Sequence, residues 1–245
     1  MIPPASGYSS NLRVSSFQPE TDVQRLPGET TMSERTAFHA AVVVAHPDDE
    51  TLWAGGTILM HPERRWRVVT LCRASDPDRA PKFVRALGRL GARGQMADLD
   101  DAPDQTPLDP SLVRSTVLSL LGDRRFDLLL THGLHGEYTR HRRHEETARA
   151  VLALWACGEL DVGEVHLFAY DDDGGRRLPR AVESADLVAK LPLAVWAEKL
   201  AIITGVYGFT LDSFEAKTTP RVEAFQRVRS AGDARTCLET RGGAL

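Results

Sequence analysis

Residues 40–50 read AAVVVAHPDDE. The first six residues form a continuous apolar run centred on three valines, which is typical of a strand that a sheet buries on both faces. The run ends at His46 and Pro47, and two adjacent aspartates and a glutamate follow. This stretch predicts a buried parallel strand whose carboxyl end leads into a turn that carries an imidazole and carboxylates.

Similar apolar runs recur along the chain, and they alternate with segments in which apolar residues have helical spacing. Further strands are predicted over 67–72, 126–131 and 165–170, and helices over 50–60, 79–91, 112–121, 141–155, 191–206 and 222–228. Gly91 ends the second of these helices at a position suited to a C-terminal cap. The alternation favours an α/β fold, a Rossmann-like three-layer sandwich with a mostly parallel sheet.

Composition and charge limit the class of protein. Hydrophobic residues make up 42% and charged residues 26%, and the formal net charge of −4 excludes the broad basic field of a nucleic-acid-binding protein. The three cysteines are too few and too scattered for a disulfide framework. Residues 1–37 are polar and rich in Ser, Pro and Gly, so we expect an irregular N-terminal extension before a single domain over 38–245. The sequence has no signal-peptide pattern and no apolar segment long enough to span a bilayer, so a cytoplasmic location is expected.

Histidines cluster in two places that the predicted fold brings together. His46 directly follows the first predicted strand, and four more histidines lie over 132–144, after the strand predicted at 126–131. Ligands bind outside the carboxyl ends of strands in parallel α/β sheets. Both segments are therefore expected at one edge of the sheet.

These residues could supply the ligands of a catalytic metal site. His46 and one of the two adjacent aspartates offer two ligands, and the other aspartate stays free as a base because consecutive side chains diverge. His141 and His144 lie three residues apart on one helix face, and the helix N-terminus favours the neutral imidazole that a metal requires. Two histidines and one carboxylate leave a position open for water, which is the catalytic pattern of zinc. His132 could replace His144 as a ligand, but it is rather expected to line the site or to hydrogen-bond a metal ligand from behind.

The two segments together resemble the motifs of a known family. AHPDDE over 45–50 is similar to the opening motif of the LmbE-like (PIG-L) zinc-dependent N-deacetylases. GEY over 136–138, followed by His141 and His144, resembles the second motif of that family. Arg79 stands where the family has an arginine that helps to hold substrate. Weaker C-terminal similarities are Lys199, Tyr207 and residues 223–225.

The resemblance implies an amide hydrolase that acts on N-acetylated amino sugars or small glycoconjugates. The implied metal ligands are His46, Asp49 and His144, and the ion is Zn²⁺, with Fe²⁺ or another divalent metal as alternatives. Asp48 is the implied general base, and His141 stabilises or protonates the reacting centre. The implied substrate contacts are Arg79, Tyr138 and His132.

Several positions depart from the family's pattern. Arg142 and Arg143 separate the histidine pair, where many members carry Pro-Asp. Lys82 and Gly133 stand where a Glu and an Asn are common. These departures affect the expected pocket rather than the expected chemistry. Arg140, Arg142 and Arg143 are interpreted as a solvated face, with binding of a substrate phosphate as the less favoured interpretation.

Two other functions fit parts of the same pattern. A non-haem Fe(II) oxygenase also uses a His-x-Asp pair and a distant histidine, although that triad normally lies on an all-β scaffold. A non-catalytic member of the fold would bind a glycan, but it would not need the complete set of candidate catalytic residues. The expected partner is a small N-acetylated amino sugar or glycoconjugate, without nucleic acid or a membrane span, and a homo-oligomer is left open.

Overall fold

The computed structural model describes residues 37–138 and 141–241. Its elements in chain order are β1 His39–Val44, α1 Asp49–Met60, β2 Arg65–Thr70, α2 Arg79–Leu90, β3 Arg93–Met96, α3 Pro110–Leu121, β4 Leu128–Thr131, α4 Arg142–Ala156, β5 Val165–Phe168, β6 Tyr170–Asp171, β7 Arg180–Ala181, β8 Leu187–Lys190, α5 Leu193–Ala201, a π-helical turn Ile202–Val206, α6 Phe214–Thr218, β9 Val222–Val228 and α7 Ala231–Arg241.

The central sheet has the strand order β3-β2-β1-β4-β5-β9-β8 within the described residues. The strands from β3 to β5 in this order pair in parallel, and β9 pairs antiparallel with both β5 and β8. Because β1 and β4 are direct neighbours, with Val43 beside Thr131, their carboxyl ends open at the same place. The two histidine-bearing segments follow these two strands.

Helices cover both faces of this sheet. Val43 faces a core formed with α3, α4 and α7, whereas Val42 and Val44 face a second core formed with α1, α2 and the π-helical turn. Successive side chains of β1 alternate between the two cores, as the pleat of a strand requires. Residues 40–45 have no exposed surface. The predicted three-layer α/β sandwich is therefore confirmed.

The C-terminal third differs from the sequence prediction. The segment predicted as a helix over 222–228 is strand β9. Its apolar residues Val222, Phe225 and Val228 are spaced three apart and mimic a helical stripe, but pairing with β5 on one side and β8 on the other decides the conformation. Strands β3 and β8 and helix α7 lie in segments for which no element is predicted, since they lack a sustained apolar period.

Residues 1–36 lie outside the described residues, so the predicted N-terminal extension and its domain boundary stay predictions. In the described ranges, no helix combines the length and the apolar character needed to cross a bilayer.

Candidate metal centre

The turn after β1 holds a strained backbone that places Asp48 on a cleft. Asp48 has a φ of 117°, a region that residues other than Gly rarely adopt. Its N–H donates to Oε2 of the fully buried Glu50 at 3.0 Å. The other carboxylate oxygen of Glu50 accepts from the Tyr207 hydroxyl at 2.7 Å. Tyr207, which directly follows the π-helical turn, therefore supports the backbone of Asp48 through Glu50.

Three potential ligand atoms converge beside this turn. Nδ1 of His46 lies 3.1 Å from Oδ2 of Asp49, and Nε2 of His144 lies 3.3 Å from each of those two atoms. Ligands bound to a tetrahedral zinc ion at about 2.0–2.2 Å are separated from one another by about 3.3 Å. The donor trio, as we call His46, Asp49 and His144, is thus spaced to hold one small divalent ion.

Each histidine of the donor trio has a carboxylate on its other ring nitrogen. Nε2 of His46 donates to Oδ1 of Asp101 at 3.1 Å. Nδ1 of His144 donates to Oε2 of Glu137 at 2.6 Å. A carboxylate on the far nitrogen fixes the orientation of the ring and directs the near nitrogen toward a metal.

The charges around the donor trio favour a cation at its centre. Burial disfavours a charged His144, but the carboxylates of Asp49 and Glu137 outweigh it and raise the pKa of His144 to about 10. Burial likewise opposes ionisation of Glu137, yet His132 and His144 lower the pKa of Glu137 to about 2. The carboxylates therefore stay ionised, and they attract the positive charge that a divalent ion supplies.

His132 lies beneath the donor trio rather than on the wall of the cleft. It has no exposed surface, and its Nε2 accepts from the N–H of Ala45 at 3.0 Å. Its Nδ1 donates to Glu137 at 3.0 Å, and its ring stacks on His144 with 3.8 Å between the ring centroids. Although Nε2 also lies 3.5 Å from Asp49, its lone pair is occupied. This position keeps His132 away from the cleft as a substrate contact, and it favours the expected hydrogen-bonding role behind the ligands over replacement of His144.

His141 is the N-cap residue of α4, and its ring faces the cleft. The ring centroid lies 4.7 Å from that of His46 and 4.4 Å from that of His144. Burial and the charges of these two neighbours lower the pKa of His141 to about 3. Its Nδ1 has no hydrogen-bond partner in the part of the chain that the structure describes. A neutral ring of this kind can donate one hydrogen bond to a substrate, but it does not hold a proton to transfer.

Asp48 and Arg79 form an ion pair on the same cleft. Oδ2 of Asp48 accepts from Nη1 of Arg79 at 3.0 Å, and the guanidinium of Arg79 lies 4.7 Å from the ring centroid of Phe209. Burial and the adjacent charge of Asp49 raise the pKa of Asp48 well above its ordinary value, against the opposing effect of Arg79. A carboxylate of raised pKa suits a group that takes up and returns a proton.

His46 and Asp49 of the donor trio line an open cleft of about 190 Å³, and the buried His144 lies behind them. Arg79 and Tyr138, two of the expected substrate contacts, line this cleft. The ring of Tyr138 packs against Phe214, with 5.1 Å between centroids. Other lining residues that no sequence pattern singles out are Leu52, Arg73, Asp101, Phe214 and Glu215.

The arginines around the histidine pair do not form one face. Arg142 is exposed, and Arg140 lies outside the described residues. Arg143 is only 2% exposed, and its guanidinium donates to two backbone carbonyls and to the carboxylate of Glu146. This corrects both interpretations of Arg143, because a guanidinium occupied inside the protein is neither a solvated group nor free to bind a phosphate.

The sequence over residues 41–155 matches the PIG-L family, described as GlcNAc-PI de-N-acetylase. The match includes the strained turn, all members of the donor trio and nearly all of α4. Residues 41–155 carry a PIG-L domain. The resemblance noted from the two sequence motifs is thereby confirmed.

Solved structures of similar fold cover more than three quarters of this chain. The N,N'-diacetylchitobiose deacetylase of Pyrococcus horikoshii has a TM-score of 0.60 at 13% identity, covering 79% of this chain and 85% of its own. The zinc-inhibited form of teicoplanin deacetylase has a TM-score of 0.58 at 15% identity, covering 78% and 98%.

A similar structure also carries a different chemistry. The 4-carboxy-2-hydroxymuconate hydratase of Pseudomonas putida has a TM-score of 0.54 at 17% identity, covering 78% of this chain and 96% of its own. Likeness at these identities shows the fold alone. The reaction must therefore be argued from the residues of the site.

Proposed function

We propose that the PIG-L domain hydrolyses the N-acetyl amide of an amino sugar or a small glycoconjugate, with Zn²⁺ as its metal cofactor. The observation that carries this proposal is the donor trio, whose ligand atoms lie 3.1–3.3 Å apart at the edge of an open cleft. The family match and the deacetylases among the similar structures support the same class of reaction.

His46, Asp49 and His144 would hold the ion, and the cleft leaves room for water and substrate beside them. Two imidazoles and one carboxylate are a ligand set of catalytic zinc sites. An ion held there supplies Lewis acidity, which lowers the pKa of a bound water to ~7 and polarises an amide carbonyl.

Asp48 is assigned both proton transfers. Its carboxylate faces the cleft and has a raised pKa, so it takes the proton of the attacking water and returns it to the leaving amine. Arg79 fixes the carboxylate through the 3.0 Å ion pair, and Glu50 fixes the backbone N–H. A base that is held from two directions is already oriented, so little conformational entropy is lost when the reaction begins.

His141 is assigned a hydrogen bond to the oxygen of the amide that is attacked. Its neutral ring can donate one N–H to the charge that develops on this oxygen. Tyr138 has a pKa raised by burial and by the charge of Asp49, so its hydroxyl stays protonated and can donate to the substrate. These assignments keep the substrate contact implied for Tyr138 and the stabilising role implied for His141, and they leave proton donation to Asp48.

The most direct test is to incubate protein carrying one equivalent of Zn²⁺ with a panel of N-acetylated amino sugars and to measure free amine and acetate together. Equal release of both products is expected, and it should disappear after chelation of the metal. Asp48→Asn is the matched control, because it should keep the ion and lose turnover.

Metal-loaded protein that releases neither product from any member of the panel would contradict this function. An oxygen electrode in the same experiment distinguishes the Fe(II) oxygenase, since that reaction consumes oxygen and releases no acetate.

A further inference from the structure

Arg143 lies one residue before His144, yet its side chain points away from the cleft and into the protein. Nε of Arg143 donates to the carbonyl of Asp100 at 2.5 Å, and Nη2 donates to the carbonyl of Thr106 at 2.9 Å. Nη1 donates to Oε2 of Glu146 at 2.6 Å. With 2% of its surface exposed, this guanidinium is a fixed internal connection rather than a surface charge.

Both carbonyls belong to one loop, residues 97–109, which has no helix or strand. The same loop is held a third time by Glu146, whose Oε1 accepts from the N–H of Leu108 at 3.0 Å. Arg143 and Glu146 are one turn apart on α4 and form an ion pair with each other. This pair therefore fixes the 97–109 loop at Asp100, Thr106 and Leu108.

Asp101 is the residue of this loop that reaches the donor trio. One of its carboxylate oxygens accepts from Nε2 of His46 at 3.1 Å and from Nε2 of Gln105 at 2.9 Å. The other accepts from Arg73, with Nε at 3.0 Å and Nη2 at 2.5 Å. Asp101 directly follows Asp100, so the bond from Arg143 to the Asp100 carbonyl holds the backbone next to this carboxylate.

We propose that Arg143 is a positioning residue for the metal centre, which holds the 97–109 loop so that Asp101 orients His46 for metal binding. The inference rests on the proposed metal site, but it goes beyond the ligands. The Arg143 connection links α4, which carries His144, to the ring of His46 through the 97–109 loop, which follows β3. The position is one where this sequence departs from the Pro-Asp of the resembled motif.

The test is a double-mutant cycle on metal affinity, with Co²⁺ as the probe and a chelator as competitor. The variants are Arg143→Met, Asp101→Asn and the two combined, and the matched control is Arg142→Met, an exposed arginine at the neighbouring position. Arg143→Met is expected to weaken Co²⁺ binding about tenfold, and Asp101→Asn about 10–100-fold, as for other residues that support metal ligands. Arg142→Met is expected to bind like the wild type.

The decisive value is the Co²⁺ affinity of the combined variant. If Arg143 acts through Asp101, the combined variant binds Co²⁺ as weakly as Asp101→Asn alone, within about twofold. The visible spectrum of bound Co²⁺ should change in the same direction in both single variants, which a loss of folding stability alone would not cause.

Wild-type affinity in Arg143→Met, or losses that multiply in the combined variant, would overturn the inference. Should Arg143→Met fail to fold, Arg143→Lys keeps the charge but cannot reach both carbonyls, and it is expected to give a smaller loss of the same kind. Because no substrate is involved, the result is separate from that of the deacetylase assay. Tight wild-type metal binding without amine release would refute the proposed function and leave this inference standing.

Discussion

The two histidines of the donor trio are held in place in different ways. On the His144 side, the supporting carboxylate of Glu137 lies seven residues away, and both side chains are fully buried. On the His46 side, the supporting carboxylate of Asp101 lies 55 residues away and is 10% exposed. The His144 side, called the buried side, is enclosed within the protein, whereas the His46 side, called the loop side, depends on the partly exposed 97–109 loop.

This difference predicts that a substitution can lower metal affinity without lowering folding stability on the loop side, but not on the buried side. Glu137 accepts from His132, His144 and the N–H of Gly133, so its loss leaves buried donors without a partner. Asp101 is bonded to groups that water can reach, such as Arg73. Changes at Glu137 should therefore damage both properties, and changes at Asp101 should damage metal binding alone.

The largest effect is expected from a change that leaves both supports intact. Asp48→Asn should lower kcat by about 10²–10⁴ and keep the metal content of the wild type, because it removes the proposed base and no ligand. Asn also tolerates the positive φ of this position better than most residues. Steady-state kinetics together with metal analysis check this, and near-normal turnover would remove Asp48 from the role of base.

Glu137→Gln should damage the buried side in two measurable ways. Metal affinity is expected to fall about 10–100-fold because His144 loses its orienting carboxylate. The free energy of unfolding of the metal-free protein is expected to fall by about 1–3 kcal/mol because buried donors lose their acceptor. Chelator competition and denaturant titration measure the two quantities, with the exposed Glu159→Gln as control. Unchanged stability would show that the core does not depend on this carboxylate.

Asp101→Asn should damage the loop side in one way. A similar loss of metal affinity is expected, but the free energy of unfolding should change by no more than about 1 kcal/mol, as is usual for ion pairs near solvent. Asp104→Asn, an exposed change on the same loop, is the control. If Asp101→Asn destabilises the metal-free protein as much as Glu137→Gln, the two sides do not differ and the comparison fails.

The last prediction needs no substitution and is a pH dependence that belongs to the buried side. The pKa of His144 is raised to about 10, above its ordinary value, so metal-free protein holds this proton at neutral pH. A metal ligand must be neutral, so the proton leaves on binding, and the apparent affinity should rise up to about tenfold per pH unit between about pH 7 and 9. The proton's contribution to the stability of the metal-free fold is present below the ordinary pKa of histidine and is lost as the pH rises through about 10. Calorimetry in buffers of different ionisation enthalpy counts the protons, and metal binding without proton release at pH 7 would contradict the assignment.

The buried side could be predicted from the sequence, because its signals are local. Two apolar strand-like runs, over 40–45 and 126–131, each end just before histidines, and this was enough to place the two segments at one sheet edge. Glu137 lies within the second motif, so its spacing from His132 and His144 offered a usable signal.

The loop side could not be predicted in the same way. Strand β3 reads RGQM, which lacks an apolar run, so nothing indicated that the loop after it reaches the edge where the metal ligands lie. The support of Glu50 by Tyr207 joins residues 157 positions apart, and β9 depends on two partner strands. Contacts of this kind are set by tertiary packing, which outweighs local spacing.

The central claim is that His46, Asp49 and His144 bind one divalent ion together. Crystals of protein loaded with one equivalent of Zn²⁺, measured at the zinc absorption edge, test it most directly. We predict a single anomalous peak within about 2.0–2.2 Å of His46 Nδ1, Asp49 Oδ2 and His144 Nε2. A peak bound instead by His132 or His141, or no peak among these side chains, would contradict the account.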